Sequence, residues 1–306
     1  MKENKAILKI AKTISLPIVI ETHAVLVCWD EVVYILINVL ANKETILFKL
    51  NASLDFEKMA QLPLLSTSAT ICKKQLIVTG ADFEGKPMII AINNSGEIQW
   101  QNTLEFTPTI WPLTTCSNKL FIAWQENTNQ IERGNLNLVA HKIERLSPIS
   151  VSSPPAILFP LKETIFAAIS EKNKTTLINL ISNKIANLDI SQQITIGETT
   201  DAIFYGWLEP NTVFLKFLKN DKLVDFPINK ASLGKLKAIS GKEATFWLQK
   251  QESTIDEDNK WQSVVIQENT DVFEIDGFVF SVIAWKDSLA VIQNSKLILL
   301  KKQPPK

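Results

Sequence analysis

Short runs of β-forming residues, each preceded by a polar turn, recur along the chain. The three clearest runs are CWDEVVYILIN, CKKQLIVTGAD and CSNKLFIAWQE, which begin at Cys28, Cys72 and Cys116 and are spaced by 44 residues. In each run, a residue that ends one strand is followed by polar residues and then by apolar and β-branched residues. A fixed period of this length indicates a repeat architecture, because each unit needs its neighbours to bury its apolar side chains.

The period continues through the rest of the chain. We use the first β-forming residue after each polar turn as an anchor, which gives spacings of 44, 44, 45, 48, 32 and 44 residues. The anchors are Val32, Leu76, Leu120, Ile165, Val213, Thr245 and Leu289. The interval of 32 residues barely accommodates a whole unit, so a count of six units stays open beside the count of seven.

Each unit contains four short strand segments and requires no helix of ordinary length. The second unit, for example, has strand patterns at 76–80, 88–93 and 97–104 after the segment that ends at Cys72. Seven four-stranded units are typical of a β-propeller. We therefore predict that residues 1–306 form one all-β domain, a seven-bladed β-propeller with six blades as the alternative.

The two ends of the chain complement each other. The last unit has strand patterns at 279–285, 289–293 and 297–300 and is one strand short. Residues 5–14 belong to no unit and alternate between apolar and polar side chains. We predict that 5–14 is a closing strand that completes the last blade and removes an exposed sheet edge. Residues 302–306 are predicted to be a flexible tail.

One blade contains a recognisable motif. Residues 91–100 read AINNSGEIQW, in which Trp100 follows Gly96 by four residues. This stretch resembles the tryptophan-docking motif of PQQ-like (quinoprotein-type) propeller repeats, with asparagine in place of the acid and serine in place of threonine. The resemblance, to PQQ-like or WD40-like repeats, implies a packing role between blades and no cofactor site.

Charge and cysteine content restrict the partners and the compartment. Basic and acidic residues both number 32, so no global field attracts nucleic acid, and no apolar run is long enough to cross a membrane. The N-terminus shows no export signal. The three cysteines lack the spacing of zinc ligands. We therefore expect reduced thiols in a cytoplasmic protein that binds neither nucleic acid nor membrane.

The chain lacks the usual signatures of metal and cofactor chemistry. The only two histidines, His23 and His141, occupy non-equivalent places in the repeat. The acidic run 252–259 lacks the spacing and the glycine of a calcium loop and is interpreted as a solvated connector. No nucleophile elbow, phosphate loop or dinucleotide fingerprint is present. We predict no metal and no cofactor.

The repeat predicts that equivalent polar turns converge near the mouth of the central channel. The catalytic candidates are Asp30, Glu163, Glu209 and Asp287. The binding candidates are Trp29, Trp207, Trp285, Lys73 and Lys242. The alternative for the charged residues is a solvated ring of mixed charge, and the alternative for the tryptophans is packing between blades.

Two functions remain compatible with these features. The first is a non-catalytic binding or scaffolding propeller that presents a face or the channel mouth to a protein partner. The second is a small-molecule enzyme, for example a hydrolase, lyase or cyclase, with its site at the channel mouth. A deep pocket with buried carboxylates would favour the enzyme, whereas a plugged channel with an exposed apolar patch would favour the scaffold.

Overall fold

The computed structural model describes most of the chain between residues 7 and 303. The described ranges are 7–116, 119–127, 129–151, 156–161, 164–171, 174–188, 194–198, 203–209, 212–219, 222–225, 236–242, 245–252, 260–267 and 273–303. Within some strands, including every described residue from 188 to 262, the description is of the backbone alone.

The described residues form strands and one 3-10 helix, Leu40–Asn42. No helix among them is long and apolar enough to span a bilayer. The strands in chain order are β1 Ile7–Ser15, β2 Ala24–Trp29, β3 Val32–Val39, β4 Glu44–Leu50, β5 Phe56–Leu62, β6 Leu65–Cys72, β7 Gln75–Ala81, β8 Pro87–Ile92, β9 Ile98–Thr103, β10 Ile110–Cys116, β11 Leu120–Asn127, β12 Gln130–Asn137, β13 Lys142–Arg145, β14 Ile149–Ser150, β15 Ala156–Leu161, β16 Thr164–Glu171, β17 Lys174–Asn179, β18 Ile185–Leu188, β19 Ile194–Glu198, β20 Ile203–Glu209, β21 Thr212–Lys219, β22 Lys222–Asp225, β23 Leu236–Lys242, β24 Thr245–Glu252, β25 Lys260–Gln267, β26 Phe273–Asp276, β27 Val279–Trp285, β28 Ser288–Gln293 and β29 Lys296–Gln303.

Within the described residues these strands form seven antiparallel sheets. Sheets I to VI begin with strands β2, β6, β10, β15, β19 and β23 and continue in chain order, whereas sheet VII consists of β27, β28, β29 and β1. All have four strands except sheet III, in which β14 also pairs with β12. The first strands of sheets I to VI contact each other in succession, β24 contacts β27, and β27 contacts β2.

The repeat anchors chosen from the sequence can be compared with the positions where the second strands of the sheets begin. Six anchors fall on the first or second residue of the second strand in their sheets. The fifth anchor, Val213, is wrong, because it lies on β21, the third strand of sheet V. The second strands of sheets IV, V and VI begin at Thr164, Ile203 and Thr245, 39 and 42 residues apart. The short interval in the sequence therefore comes from an anchor placed one strand too late.

The N-terminal strand belongs to the last sheet. Strand β1 pairs antiparallel with β29, from Ile7 opposite Gln303 to Ser15 opposite Lys296, and forms the outer edge of sheet VII. Lys302 and Gln303 belong to β29 rather than to the predicted flexible tail, because both pair with β1. Residues 304–306 lie outside the described residues.

Apolar side chains from neighbouring sheets share common cores. On β3, Val33, Ile35 and Ile37 pack into a cluster with sheet VII, whereas Tyr34 and Leu36 pack into a cluster with sheet II. Successive side chains on a strand point to opposite faces, so a strand buried on both faces needs an unbroken apolar run. This explains why the motif in sheet I reads VVYILI rather than as an alternation of apolar and polar residues.

Hydroxyl side chains on third strands connect one sheet to the start of the next. In sheet I, the Thr45 hydroxyl donates to the Leu64 carbonyl oxygen at 2.8 Å and accepts from the Ser66 amide at 3.0 Å. In sheet VI, the Ser263 hydroxyl donates to the Gly277 carbonyl oxygen at 2.7 Å and accepts from the Val279 amide at 3.2 Å. The same contact therefore recurs at two joints between sheets.

The two histidines lie in different sheets and environments. His23 precedes β2, and its Nε2 is buried without a hydrogen-bond partner among the described residues. Burial lowers the pKa of His23 below its ordinary value of 6.5. His141 lies in the turn after β12 and stacks on the Trp100 ring, with ring centroids 4.8 Å apart.

A first prediction concerns the packing of β1. Leu8 is 3% exposed and belongs to the core shared by sheets VI and VII, whereas Ile10 on the same strand is 53% exposed. We expect Leu8→Ala to lower the free energy of unfolding by about 2–5 kcal/mol, because it leaves a cavity. The matched control Ile10→Ala should change it by less than about 0.5 kcal/mol. Equal effects of the two variants in urea denaturation would contradict the burial of β1.

A second prediction concerns the hydroxyl contact. Thr45→Val removes the donor to the buried Leu64 carbonyl oxygen and should lower the free energy of unfolding by about 1–3 kcal/mol. Thr176→Val, on the third strand of sheet IV, is the control, because the Thr176 hydroxyl bonds Asn187 Oδ1 at the surface. Chemical denaturation of the two variants measures the difference, and a loss no larger for Thr45→Val than for the control would refute the contact.

A third prediction concerns pH. Because the pKa of His23 is lower in the folded chain, the unfolded chain binds more protons just below pH 6.5. The His23 contribution to stability is therefore complete above this value and is lost as the pH falls towards the folded pKa. We expect His23→Gln to flatten the pH dependence of the unfolding free energy below about pH 6.5. Parallel profiles for wild type and His23→Gln would be inconsistent with a buried His23.

Candidate functional site

The meander of each sheet divides its turns between two ends. The turns after the first and third strands lie at one end, which we name the hairpin face. The turn after the second strand and the connection to the next sheet lie at the other end, which we name the connector face. The hairpin face includes the two-residue turns Asp30–Glu31, Lys73–Lys74 and Lys286–Asp287.

Several of the predicted ring residues are on the hairpin face. Asp30, Lys73 and Asp287 are exposed in turns after first strands. Lys242 ends β23, the first strand of sheet VI, and its side chain lies outside the described residues. Glu163 also lies outside the described residues.

Glu209 and Trp207 occupy a different position from the predicted one. Both lie on β20, which is the second strand of sheet V rather than its first. Glu209 ends that strand and is therefore at the connector-face end of the sheet. The error has the same cause as the misplaced fifth anchor, since both treat the second strand of this sheet as the first. The side chains of the two residues lie outside the described residues.

The two described tryptophans of the prediction have different environments. Trp29 is 5% exposed and packs in the core between sheets I and II, with its ring centroid 5.6 Å from that of Tyr34. Trp285 is half-buried, and its Nε1 donates to the Glu31 carbonyl oxygen at 2.7 Å. This bond joins the hairpin turn of sheet VII to that of sheet I. Lys286 Nζ lies 5.1 Å from the Trp285 ring centroid.

The carboxylates of this face are in contact with solvent. Asp30 and Asp287 are both exposed. The hydrogen bond from Lys301, whose Nζ lies 2.6 Å from Asp287 Oδ2, lowers the pKa of Asp287. Within the described part of the chain, no group of three or more His, Cys, Asp and Glu side chains could hold a metal ion. Exposed charges of this kind suit ionic recognition better than proton transfer, which needs a group with a pKa adjusted by burial.

Two of the turns hold charged residues in an unusual backbone conformation. Asp30 and Glu31 have φ of 49° and 61°, and Lys73 and Lys74 have φ of 47° and 62°. Two-residue turns with positive φ at both positions ordinarily contain Asn-Gly or Asp-Gly. A left-handed conformation at a residue such as lysine costs about 1–3 kcal/mol, and such conformations concentrate at functional sites.

A surface depression of about 300 Å³ lies on the hairpin face where sheets II and III meet. Lys73 of sheet II and Lys119 of sheet III line it together with Asn135, Asn137 and Glu144. Of these residues, sequence reasoning identified Lys73 alone.

A repeated asparagine shapes the other turns of the hairpin face. The side-chain oxygens of these residues accept hydrogen bonds from backbone amides of the turn after the third strand. Such side-chain hydrogen bonds fix the backbone of a turn locally. The residues are Asn51, Asn93, Asn137 and Asn179, spaced by 42, 44 and 42 residues. This regular spacing of asparagines is a sequence signal that could have identified the turns after the third strands.

The cysteines differ from the prediction of reduced thiols. Cys72, which directly precedes the Lys73–Lys74 turn, is disulfide-bonded, whereas Cys28 remains a thiol. Cys72 ends β6 and Cys116 ends β10, and these two strands contact each other. Equivalent positions in neighbouring sheets are therefore close, which the sequence spacing alone did not reveal. The side chain of Cys116 lies outside the described residues.

Comparison with known proteins gives matches in structure alone. No protein-family model and no curated protein sequence matches the chain. The chain is similar to the WD40 domain of Pan2 from Neurospora crassa, with a TM-score of 0.63, 14% identity and 98% of this chain and 97% of that chain covered. It is also similar to U3-55K, with a TM-score of 0.56, 11% identity and 95% and 98% covered.

Two further similar structures come from different kinds of protein. BBS1N, solved in complex with ARL6DN, has a TM-score of 0.56 at 12% identity, with 97% of each chain covered. The acylaminoacyl peptidase of Pyrococcus horikoshii has a TM-score of 0.58 at 8% identity, and the match covers 99% of this chain but 53% of that chain. At these identities the likeness shows the fold, and the fold is that of the β-propeller class to which WD40 domains belong.

Proposed function

We propose that the chain is a closed, seven-bladed propeller that binds a protein partner through its hairpin face and has no catalytic activity of its own. The contacts between successive sheets, the contact of β27 with β2 and the pairing of β1 with β29 support the closed ring. A rigid ring holds turns from different sheets in fixed relative positions, which suits recognition of a large partner.

The observation that carries this proposal is the character of the hairpin turns. They present exposed charges of both signs, acidic in sheet I and basic in sheet II, on strained two-residue turns. Complementary charge steers a partner and fixes its orientation. The same face exposes apolar side chains after third strands, including Val139, which is 91% exposed. One of the similar structures, BBS1N, was solved with a protein bound.

The alternative is a small-molecule enzyme at the channel mouth. The likeness to the acylaminoacyl peptidase supports it, since that structure comes from an enzyme. An acid or base in such a site would be buried, whereas Asp30 and Asp287 are exposed. We therefore favour the binding function. Cytoplasmic location and the absence of a cofactor stay predictions, and the disulfide at Cys72 removes the argument from reduced thiols for the location.

A fourth prediction tests the choice of face. Asp30→Lys with Lys73→Glu reverses one charge of each sign on the hairpin face and leaves the net charge unchanged. The matched control, Lys43→Glu with Glu84→Lys, does the same on the connector face, which also exposes Leu40 and Phe83. Purified wild type and variants are used as baits in native extract of the source cells, and co-purified proteins and metabolites are quantified by mass spectrometry.

We expect the hairpin-face variant to capture at least tenfold less of a partner protein that wild type and the control both capture, because reversed charges repel a complementary surface. Thermal unfolding of each bait verifies that all three are folded. Equal retention by both variants would reject the hairpin face. Co-purification of a small metabolite without a protein partner would favour the enzyme.

A further inference from the structure

The depression between sheets II and III combines cationic and apolar groups. Lys73 and Lys119 line it from the turns before the second strands of the two sheets. Leu136, Leu138 and Val139 contribute apolar surface to the same depression. Leu136 is 3% exposed and Val139 is 91% exposed, so the apolar surface runs from the buried floor to the rim.

The residues that line this depression carry a net positive charge. Among the described residues, neither Lys73 nor Lys119 forms an ion pair. Glu144 is the one carboxylate among the residues that line it, so the two ammonium groups outnumber the carboxylate; Glu144 Oε1 accepts a hydrogen bond from Asn137 Nδ2 at 3.0 Å. Lys74 lies beside Lys73 in the same turn and adds to the positive charge. The depression therefore attracts an anion.

The strained turn that presents Lys73 supports a functional role for this charge. Lys73 and Lys74 both adopt left-handed backbone conformations, where an Asn-Gly pair would fit without strain. The disulfide at Cys72 anchors the base of the turn. Strain that the fold could remove by a simple substitution is typical of a functional site.

The size of the depression and the charge of the whole chain restrict the ligand. About 300 Å³ is at the lower end of ligand pockets, and the depression is open at the surface, which suits a short stretch of another chain. The formal net charge of the protein is zero, so no overall positive field attracts nucleic-acid backbones. An anionic group attached to apolar surface, as in a peptide, fits both features.

We propose that this depression binds an acidic peptide segment of the partner protein, with an Asp or Glu carboxylate between Lys73 and Lys119 and an adjacent apolar side chain on Leu138 and Val139. This assignment rests on the proposed protein-binding function and specifies which part of the hairpin face carries it. A carboxylate between two ammonium groups forms charge-assisted hydrogen bonds, and the apolar contact gives the peptide its orientation.

A fifth prediction uses peptide arrays as the probe. The array displays heptapeptides with one or two Asp or Glu residues flanked by Leu or Val, each beside a version with Asn or Gln in place of the acid. We expect wild-type protein to bind a subset of the acidic peptides at least fivefold more than their amide versions, and to lose this binding as salt rises, because an ionic contact is screened. Equal binding to the acidic and amide versions would overturn the proposal.

Variants then locate the binding. Lys73→Gln with Lys119→Gln should reduce binding of the best soluble peptide at least tenfold in fluorescence anisotropy, whereas Lys286→Gln, on the hairpin face outside the depression, should retain it. Lys73→Asn with Lys74→Gly should raise the melting temperature, because Asn and Gly adopt the left-handed conformation of this turn with less strain. The same variant should bind the peptide more weakly, because it lacks both lysines. Retained binding in either Lys73 variant, or equal competition by an oligonucleotide or inorganic phosphate, would refute the assignment.

Failure of this inference can be distinguished from failure of the proposed function. If Lys73→Gln with Lys119→Gln still captures the partner from extract while Asp30→Lys with Lys73→Glu does not, the hairpin face binds a protein but the depression does not hold an acidic segment. If neither variant changes capture, the proposed face itself is wrong.

Discussion

The fold depends on the packing of apolar side chains between neighbouring sheets, which sheet I shows on both of its faces. Side chains of β3 alternate between the core shared with sheet VII and the core shared with sheet II, so neither core belongs to one sheet alone. Ile14 and Leu297 of sheet VII are in the same cluster as Leu26 of sheet I, although they come from opposite ends of the chain. A single sheet of this kind would expose two apolar faces to water and would be unstable alone. The stability of such a sheet therefore depends on its contacts with the neighbouring sheets.

The sequence predicted the parts of the fold that depend on this burial. Continuous apolar runs and polar turns at a constant period indicated four-stranded units and the positions of their second strands. The assignment was wrong in sheet V, where the anchor Val213 was placed one strand too late. The pattern around it also contains apolar residues on successive strands, so periodicity alone cannot tell a second strand from a third. The pairing of β19 with β20 and of β20 with β21 settles the order.

The candidate site was less predictable, because its geometry arises between units. The repeat indicated that Asp30, Lys73 and Asp287 share one end of their sheets, but the depression also needs Lys119, Asn135 and Asn137 of sheet III, which sequence reasoning did not identify. Their proximity to Lys73 follows from the packing of sheet III on sheet II. The left-handed φ of Lys73 and Lys74 is equally hidden in the sequence, because two lysines are not a typical signal for a tight turn.

The most direct test of this packing is whether the first and last sheets share one core in solution. Selective methyl labelling of Ile and Leu, with nuclear Overhauser spectra of the folded protein, measures proximity between methyl groups. A core shared by the two sheets predicts cross-peaks between methyl groups of Ile35 or Ile37 in sheet I and those of Ile292 or Leu297 in sheet VII. Cross-peaks within each sheet but none between the two sheets would contradict it.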